Sequence, residues 1–197
     1  GDELIEMVTQ VAAALTAAHD HGVVHRDLKP ANIFRSVCPK GVHWRVLDFG
    51  VAGLRTNERP LTDDQQVGTV GYMAPEQVIE GGDVDERADV YGLAMVVLES
   101  AALFTPTLTD TDRALGGWSP DAQARMRRAL DTLPLGVATV LRAGLAHRRD
   151  ERPRSCAAFA SALALAMEES RDYDLLGLEV TESSGSLTVS QRRPTAP

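Results

Sequence analysis

The stretch GVVHRDLKPANIF, residues 22–34, concentrates reactive and phosphate-seeking side chains between two apolar segments. Five of them lie within eight positions: His25, Arg26, Asp27, Lys29 and Asn32. A carboxylate can take the proton of an attacking hydroxyl, a lysine can neutralise charge on a phosphate, and an amide oxygen can bind a magnesium ion. The spacing therefore favours a loop that moves a phosphoryl group over an ordinary solvated turn.

Two further short motifs follow this loop along the chain. The tripeptide DFG, residues 48–50, comes sixteen residues after Asn32 and directly after the apolar pair Val46-Leu47. A carboxylate at the end of a strand can hold the magnesium ion that bridges two phosphates, and Asp48 has that position. The tripeptide APE, residues 74–76, then closes the segment GTVGYMAPE. The ordered set predicts one site assembled from separate segments.

These motifs resemble the C-terminal lobe of a eukaryotic-type (Hanks-type) serine/threonine protein kinase, and they are most similar to the bacterial members. The resemblance runs from residue 3 to about residue 168. It implies a protein serine/threonine kinase that transfers the γ-phosphate of ATP, with Mg²⁺, to Ser or Thr of protein substrates. The implied site residues are catalytic Asp27, Lys29, Asn32 and Thr69, nucleotide-binding Lys29, Asn32, Phe34 and Asp48, and the metal ligands Asn32 and Asp48.

The resemblance also implies contacts that hold the site together. Asp89, in the segment ADVYGLA, would hold the backbone of the catalytic loop, and His25 would stack on Phe49. Arg152, in the ERP motif, would form a buried salt bridge with Glu76. In the same way Thr69 would bridge the catalytic Asp and Lys, and Phe34 would lie on the adenine ring. Phe34 and Arg35 depart from the aliphatic residues that are usual there, and Arg149 stands where an Asp-Pro pair is usual.

The loop from residue 48 to residue 76 corresponds to the activation segment of the kinase family. Arg26 precedes the catalytic Asp, an arrangement that captures a phosphate on this segment. The candidate phosphorylation sites are Thr56 and Thr62. We also consider that the neighbouring Asp63 and Asp64 partly replace a phosphate by pairing with Arg26; the alternative is two solvated acids.

The fold class predicted from these patterns is mainly α with short β-hairpins, a protein-kinase-like C-terminal lobe with the N-lobe absent. Apolar spacing predicts a helix over 3–18, and SVCPKG reads as the tip of a hairpin. Ser119 and Ser155 are expected to cap helices, with Pro120 in the first turn of one of them. Residues 1–169 would form the catalytic domain, and the Ser-, Thr- and Gly-rich residues 170–197 a mostly disordered tail or linker.

The nucleotide-binding half of a kinase has no counterpart in this sequence. No G-x-G-x-x-G is present, and of the two lysines Lys29 belongs to the catalytic loop and Lys40 to the hairpin after it. We expect the chain to be part of a longer kinase, or else a truncated product, and to be inactive or very weak without the missing N-lobe. The alternative function is a non-catalytic kinase-like interaction module.

Composition excludes several other classes. The net charge of −8 argues against a general nucleic-acid surface, and no apolar run is long enough to form a membrane segment. Cys38 and Cys156 lack a C-x-x-C partner and are expected to be free thiols in a reducing compartment. With no signal peptide recognisable, we expect a cytoplasmic location. No histidine outside the catalytic loop lies at metal-ligand spacing, and we assign no chemistry to His19 or His21.

Overall fold

The computed structural model describes residues 2–39, 41–49, 70–78, 82–102, 104, 106, 119–175, 178–183 and 186–191. The helices are α1 (Asp2–His19), α2 (Pro75–Val78), α3 (Arg87–Ala102), α4 (Pro120–Leu130), α5 (Leu135–Gly144) and α6 (Cys156–Leu175). The strands are β1 (Ile33–Cys38), β2 (Gly41–Val46), β3 (Leu178–Ser183) and β4 (Ser186–Gln191). Short 3₁₀ turns lie at Pro30–Asn32, Val70–Tyr72 and Arg149–Glu151. The described part of the chain is therefore mainly helical with two hairpins, as predicted. None of its helices combines the length and the apolar character needed to cross a membrane.

Helix α3 lies at the centre of the core. Every residue from Ala88 to Leu98 is buried, so this helix has no solvent face over three turns. A helix that is apolar all round must be covered on every side, and α1, α4, α5 and α6 all pack against it. Gly144 marks the closest approach, because a Cβ there would lie 2.8 Å from Ala94 Cβ and 2.9 Å from Phe159 Cε2.

Helix α1 and the first hairpin form the support of the catalytic loop. Strands β1 and β2 are antiparallel, with Ile33 opposite Val46 and Cys38 opposite Gly41. This register places the chain entering β1 beside the chain leaving β2, and Leu47 N donates to Asn32 O at 2.9 Å. The hairpin therefore brings the end of the catalytic loop next to the DFG motif, although the two are far apart in sequence.

The predicted caps are present at both later helices. Ser119 Oγ accepts a hydrogen bond from Ala122 N at 3.2 Å, and Ser155 Oγ accepts one from Ala158 N at 3.1 Å. Each bond satisfies a backbone donor that the first turn of a helix leaves without a partner. Cys38 and Cys156 are both free thiols, and burial raises the pKa of Cys156 at the start of α6.

The C-terminal residues differ from the expected disordered tail. Helix α6 continues to Leu175, and β3 and β4 form an antiparallel hairpin with Ser183 opposite Ser186 at its turn. The alternation of apolar and polar residues in LEVTES and SLTVSQ, with β-branched Val and Thr, explains the strands. Polar composition had concealed this period-two pattern. A domain boundary near residue 169 stays a prediction.

Candidate active site

The backbone of the catalytic loop is held by one buried carboxylate from α3. Asp89 is 1% exposed; its Oδ2 accepts from His25 N and its Oδ1 from Arg26 N, both at 2.8 Å. Arg26 has a φ of 67°, a left-handed conformation that is costly for a residue with a side chain. Charge-assisted bonds to its neighbouring amides offset that cost. The predicted role of Asp89 is confirmed.

His19 is a member of this cluster that the sequence did not reveal. Its Nε2 lies 2.7 Å from Asp89 Oδ2, across 70 residues of sequence, and its side chain is only 9% exposed. A carboxylate can only accept, so Nε2 carries the proton of that bond. The two histidines at the end of α1 look equivalent in the sequence, but His21 Nδ1 instead meets Ala17 O at 2.8 Å. Only the tertiary contact of His19 with α3 distinguishes the two histidines.

His25 connects the catalytic loop to the DFG segment. The ring is fully buried; Nε2 donates to Leu47 O at 2.8 Å, and Nδ1 accepts from Asp27 N at 3.2 Å. The Leu47 carbonyl can only accept, so Nε2 carries the proton, and the Asp27 amide can only donate, so Nδ1 is unprotonated. A neutral ring therefore satisfies both partners. Its edge contacts Phe49, with 4.9 Å between ring centroids and 71° between planes. The predicted stacking pair is confirmed as an edge contact.

The three polar side chains of the loop converge on Asp27. Lys29 Nζ lies 2.9 Å from Asp27 Oδ2 and 3.2 Å from Oδ1. Asn32 Nδ2 donates to Asp27 O at 2.7 Å and to Oδ2 at 3.2 Å. Asp27 and Lys29 keep about a quarter of their side-chain surface exposed, at 24% and 23%. The loop thus presents a carboxylate and a cation to solvent, held together with the buried amide of Asn32.

Asp48 completes the set of oxygen donors. It is exposed and has a φ of 61°; within the described ranges it and Arg26 are the non-glycine residues with positive φ. Because Asn32 Nδ2 is committed to Asp27, the amide oxygen is the atom that a cation would meet. The described residues contain no group of three or more His, Cys, Asp or Glu that could hold a metal ion. One carboxylate and one amide oxygen suit Mg²⁺, which keeps waters and phosphate oxygens as its other ligands.

The outer side of the site is apolar and open. Phe34 on β1 is 55% exposed, Leu47 is 42% exposed and Val23 is 39% exposed. The core side of the hairpin is covered by α1, where Gln10 Oε1 accepts from Trp44 N at 2.8 Å. Arg35, beside Phe34, pairs with Glu3 at 2.6 Å in the first turn of the same helix. The three exposed apolar residues therefore lie in the segments directly before and after the site residues, on the parts of those segments that solvent reaches.

The predicted pair of Glu76 and Arg152 is confirmed. Two N–O distances of 2.7 Å make the pair bidentate, and the Arg152 side chain is fully buried. Its remaining donors reach the carbonyls of Ala146, Arg87 and His147. The guanidinium carbon also lies 5.0 Å from the ring centroid of Tyr91. One side chain therefore joins α2, α3 and the turn before α6.

A second polar pair secures the segment in front of α2. Tyr72 Oη donates to Glu99 Oε2 at 2.7 Å. Burial raises the pKa of Tyr72, and the hydrogen bond and negative charge of Glu99 raise it further. The hydroxyl therefore stays protonated as the donor, and the segment directly before α2 is fixed to α3. Sequence reasoning did not identify this pair, because no motif relates Tyr72 to Glu99.

Several predicted residues fall outside the described part of the chain. They are Thr69, the candidate phosphorylation sites Thr56 and Thr62, and the acidic residues Asp63 and Asp64. Their roles stay predictions. The described residues bring together Asp27, Lys29 and Asn32 by direct contact, and Asp48 through the pairing of Leu47 with Asn32.

Comparison with known proteins gives consistent matches. Residues 1–135 match the family model described as "Protein kinase domain". The chain is 37% identical over 201 residues to serine/threonine-protein kinase Pkn1 of Myxococcus xanthus, covering 98% of this chain and 28% of the relative. It is 33% identical over 176 residues to serine/threonine-protein kinase PknE of Mycobacterium tuberculosis, covering 87% of this chain and 30% of the relative. The chain thus spans less than a third of these curated relatives.

A solved structure gives the same result for the fold. The kinase domain of Mycobacterium tuberculosis PknI superposes with a TM-score of 0.58 at 30% sequence identity. The match covers 84% of this chain and 54% of that kinase domain. Both the sequence and the fold therefore match the same group of proteins.

Proposed function

This chain belongs to the protein kinase family, among the bacterial eukaryotic-type serine/threonine kinases, and from that membership we propose that it carries their catalytic and substrate-binding lobe. The proposed reaction is transfer of the ATP γ-phosphate to a Ser or Thr hydroxyl of a protein substrate. The observation that carries the proposal is the cluster of Asp27, Lys29 and Asn32, whose polar atoms lie 2.7–3.2 Å apart.

Each residue of the cluster has a proposed task. Asp27 accepts the proton of the attacking hydroxyl, and Lys29 places a positive charge where negative charge develops on the γ-phosphate. Asn32 and Asp48 hold Mg²⁺, which when bound neutralises charge on the phosphates. Phe34 contacts the adenine ring. Thr69, which lies outside the described residues, is proposed from the family resemblance to bridge Asp27 and Lys29.

The nucleotide would then need a second covering element. The exposed Val23, Phe34 and Leu47 support this, since apolar surface beside a polar site is normally covered in the working protein. The chain contains no G-x-G-x-x-G, and no lysine comes before Lys29. We therefore propose that the N-lobe of the same kinase completes the site, and that residues 1–169 form its catalytic partner.

Transfer of radiolabelled phosphate from ATP to a basic protein tests the proposal in the kinase that contains both lobes. Asp27→Asn removes the proton acceptor, and we expect kcat to fall about 100-fold or more. Asp20→Asn, an exposed carboxylate at the end of α1, is the matched control and should retain wild-type activity. Absence of transfer by the wild-type two-lobed protein would favour the non-catalytic interaction module, and full activity of the Asp27→Asn variant would contradict the proposed role of Asp27. Robust transfer by this chain alone, abolished by Asp27→Asn, would contradict the need for an N-lobe.

A further inference from the structure

Gln77 in α2 bridges two backbone segments that meet beside the catalytic carboxylate. Its Nε2 donates to Arg26 O at 2.6 Å, across 51 residues of sequence. Its Oε1 accepts from Ala74 N at 3.0 Å. A carbonyl can only accept and a backbone N–H can only donate, so just one orientation of the amide satisfies both bonds. Gln77 is therefore fixed at both ends, between the APE segment and the catalytic loop.

The carbonyl that Gln77 holds belongs to the peptide group joining Arg26 to Asp27. The amide of that same group, Asp27 N, donates to His25 Nδ1 at 3.2 Å. A peptide group is planar, so a partner on each edge fixes its orientation. Asp89 holds the preceding peptide group through Arg26 N at 2.8 Å. The strained Arg26 backbone is thus held on its N–H side by α3 and on its carbonyl side by α2.

We propose that Gln77 is a positioning residue for phosphoryl transfer, which fixes the Arg26–Asp27 peptide plane and thereby the direction of the Asp27 carboxylate. It also couples the segment 70–78 to the catalytic loop, since the same amide holds Ala74. The inference rests on the proposed kinase function. A displacement of about 1 Å in a reacting group can cost about 100-fold in rate, so a lost bridge should appear in kcat.

The substitution Gln77→Glu tests the bridge in the two-lobed kinase. An ionised carboxylate has no donor for Arg26 O, and we expect kcat to fall roughly 10- to 100-fold at pH 8 with the KM for ATP unchanged. A protonated carboxyl again offers one donor and one acceptor. The ratio of variant kcat to wild-type kcat should therefore rise as the pH is lowered. Dividing by the wild-type kcat cancels the pH dependence that the two proteins share. Gln77→Met, of similar length without polar atoms, should show the loss without this recovery.

Gln10 provides a matched control elsewhere in the molecule. It also bridges two backbone groups, accepting from Trp44 N at 2.8 Å and donating to Val42 O at 3.3 Å. In Gln10→Glu the same chemical change should make the urea unfolding midpoint depend on pH. The kcat ratio of the folded variant should not rise on acidification. This control separates a loss of stability from a loss of catalytic geometry.

Hydrogen exchange at Ala74 N tests the contact without any activity. The amide should be protected in the wild-type chain and should exchange faster in Gln77→Met. Unchanged exchange, a wild-type kcat for Gln77→Glu at pH 8, or a reduced but pH-independent kcat ratio would each overturn the inference. Transfer that survives Asp27→Asn would instead overturn the proposed role of Asp27, and absence of transfer by the wild-type two-lobed kinase would overturn the proposed function, whatever the Gln77 variants do.

Discussion

The two faces of the catalytic loop are built in opposite ways. Toward the core, Asp89 and Arg152 are 1% and 3% exposed, and each accepts or donates several hydrogen bonds. Toward the edge of the first hairpin, Phe34 and Leu47 are 55% and 42% exposed. The core face buries polar groups and satisfies them, whereas the edge face exposes apolar ones.

This contrast separates the interactions that the chain makes within itself from those that need another element to cover an exposed surface. A buried charge is costly unless it is paired, so the bonds of Asp89 allow few alternative arrangements of the loop, and those of Arg152 few arrangements of α2. An exposed aromatic ring has no such constraint until another surface covers it. The position of Asp27 is therefore set by this chain, while the covering of a nucleotide at Phe34 is left to a partner element.

Removing the main anchor of the core face should have the largest effect. Arg152→Ala leaves the Glu76 carboxylate without its partner in a buried setting, and we expect the free energy of unfolding to fall by about 3–5 kcal/mol. Urea unfolding followed by circular dichroism measures the change. Arg148→Ala removes an arginine that is 68% exposed and paired with Asp150, and should leave stability nearly unchanged. Equal losses in the two variants would show that the core face is not held by this pair.

Sequence reasoning anticipated this face well where a motif fixes the partner. The pairs Glu76–Arg152 and His25–Phe49 and the bonds of Asp89 all followed from matching the motifs. Contacts for which no motif supplies the partner were not anticipated, whether that partner is a backbone carbonyl, as for Gln77, or a side chain, as for His19. Gln77, like His19, was missed for that reason: nothing in its local context indicates which segment it will meet.

The same limit applies to other elements. The caps at Ser119 and Ser155 were predictable, since a cap bonds within its own first turn. The hairpin of β3 and β4 was missed, because its polar composition outweighed its alternation. Contacts within one local segment were therefore predictable from the sequence, and contacts between distant segments only where a known motif supplied the partner.

The edge face can be tested by truncating its most prominent side chain. Phe34→Ala should change the free energy of unfolding by about 0.5 kcal/mol or less, because the ring is already largely in solvent. In the two-lobed kinase it should raise the KM for ATP several-fold, since an aromatic contact contributes about 0.5–1.5 kcal/mol. Leu165→Ala, at a residue 58% exposed on α6, is the control and should leave the KM unchanged. A large loss of stability in Phe34→Ala would mean that this face is packed rather than open.

The smallest effect is expected where the core face meets solvent, at Arg149 and Asp83. Arg149 Nη2 lies 2.6 Å from Asp83 Oδ2, and this hydrogen bond, with the positive charge, lowers the pKa of Asp83. A carboxyl whose pKa is lowered on folding contributes stability above its unfolded value of about 4, and loses it as the pH falls through the folded value. The pair is exposed, so the contribution is small and screened by salt.

Arg149→Gln should therefore unfold at slightly lower urea than wild type at pH 7 and low salt. This difference in urea midpoint between variant and wild type should disappear toward pH 2, and it should also disappear in 1 M NaCl. Arg148→Gln is the matched control: because Arg148 lowers the pKa of Asp150 in the same way, its difference from wild type should follow the same pH and salt dependence. Arg149 also donates to the Asp83 carbonyl, a bond that does not depend on the carboxyl charge. If the difference in urea midpoint persists at pH 2 and in 1 M NaCl while Asp83 titrates normally by NMR, the stabilising contact of Arg149 is the one with the Asp83 carbonyl. Backbone contacts would then hold the core face as far as its outer edge.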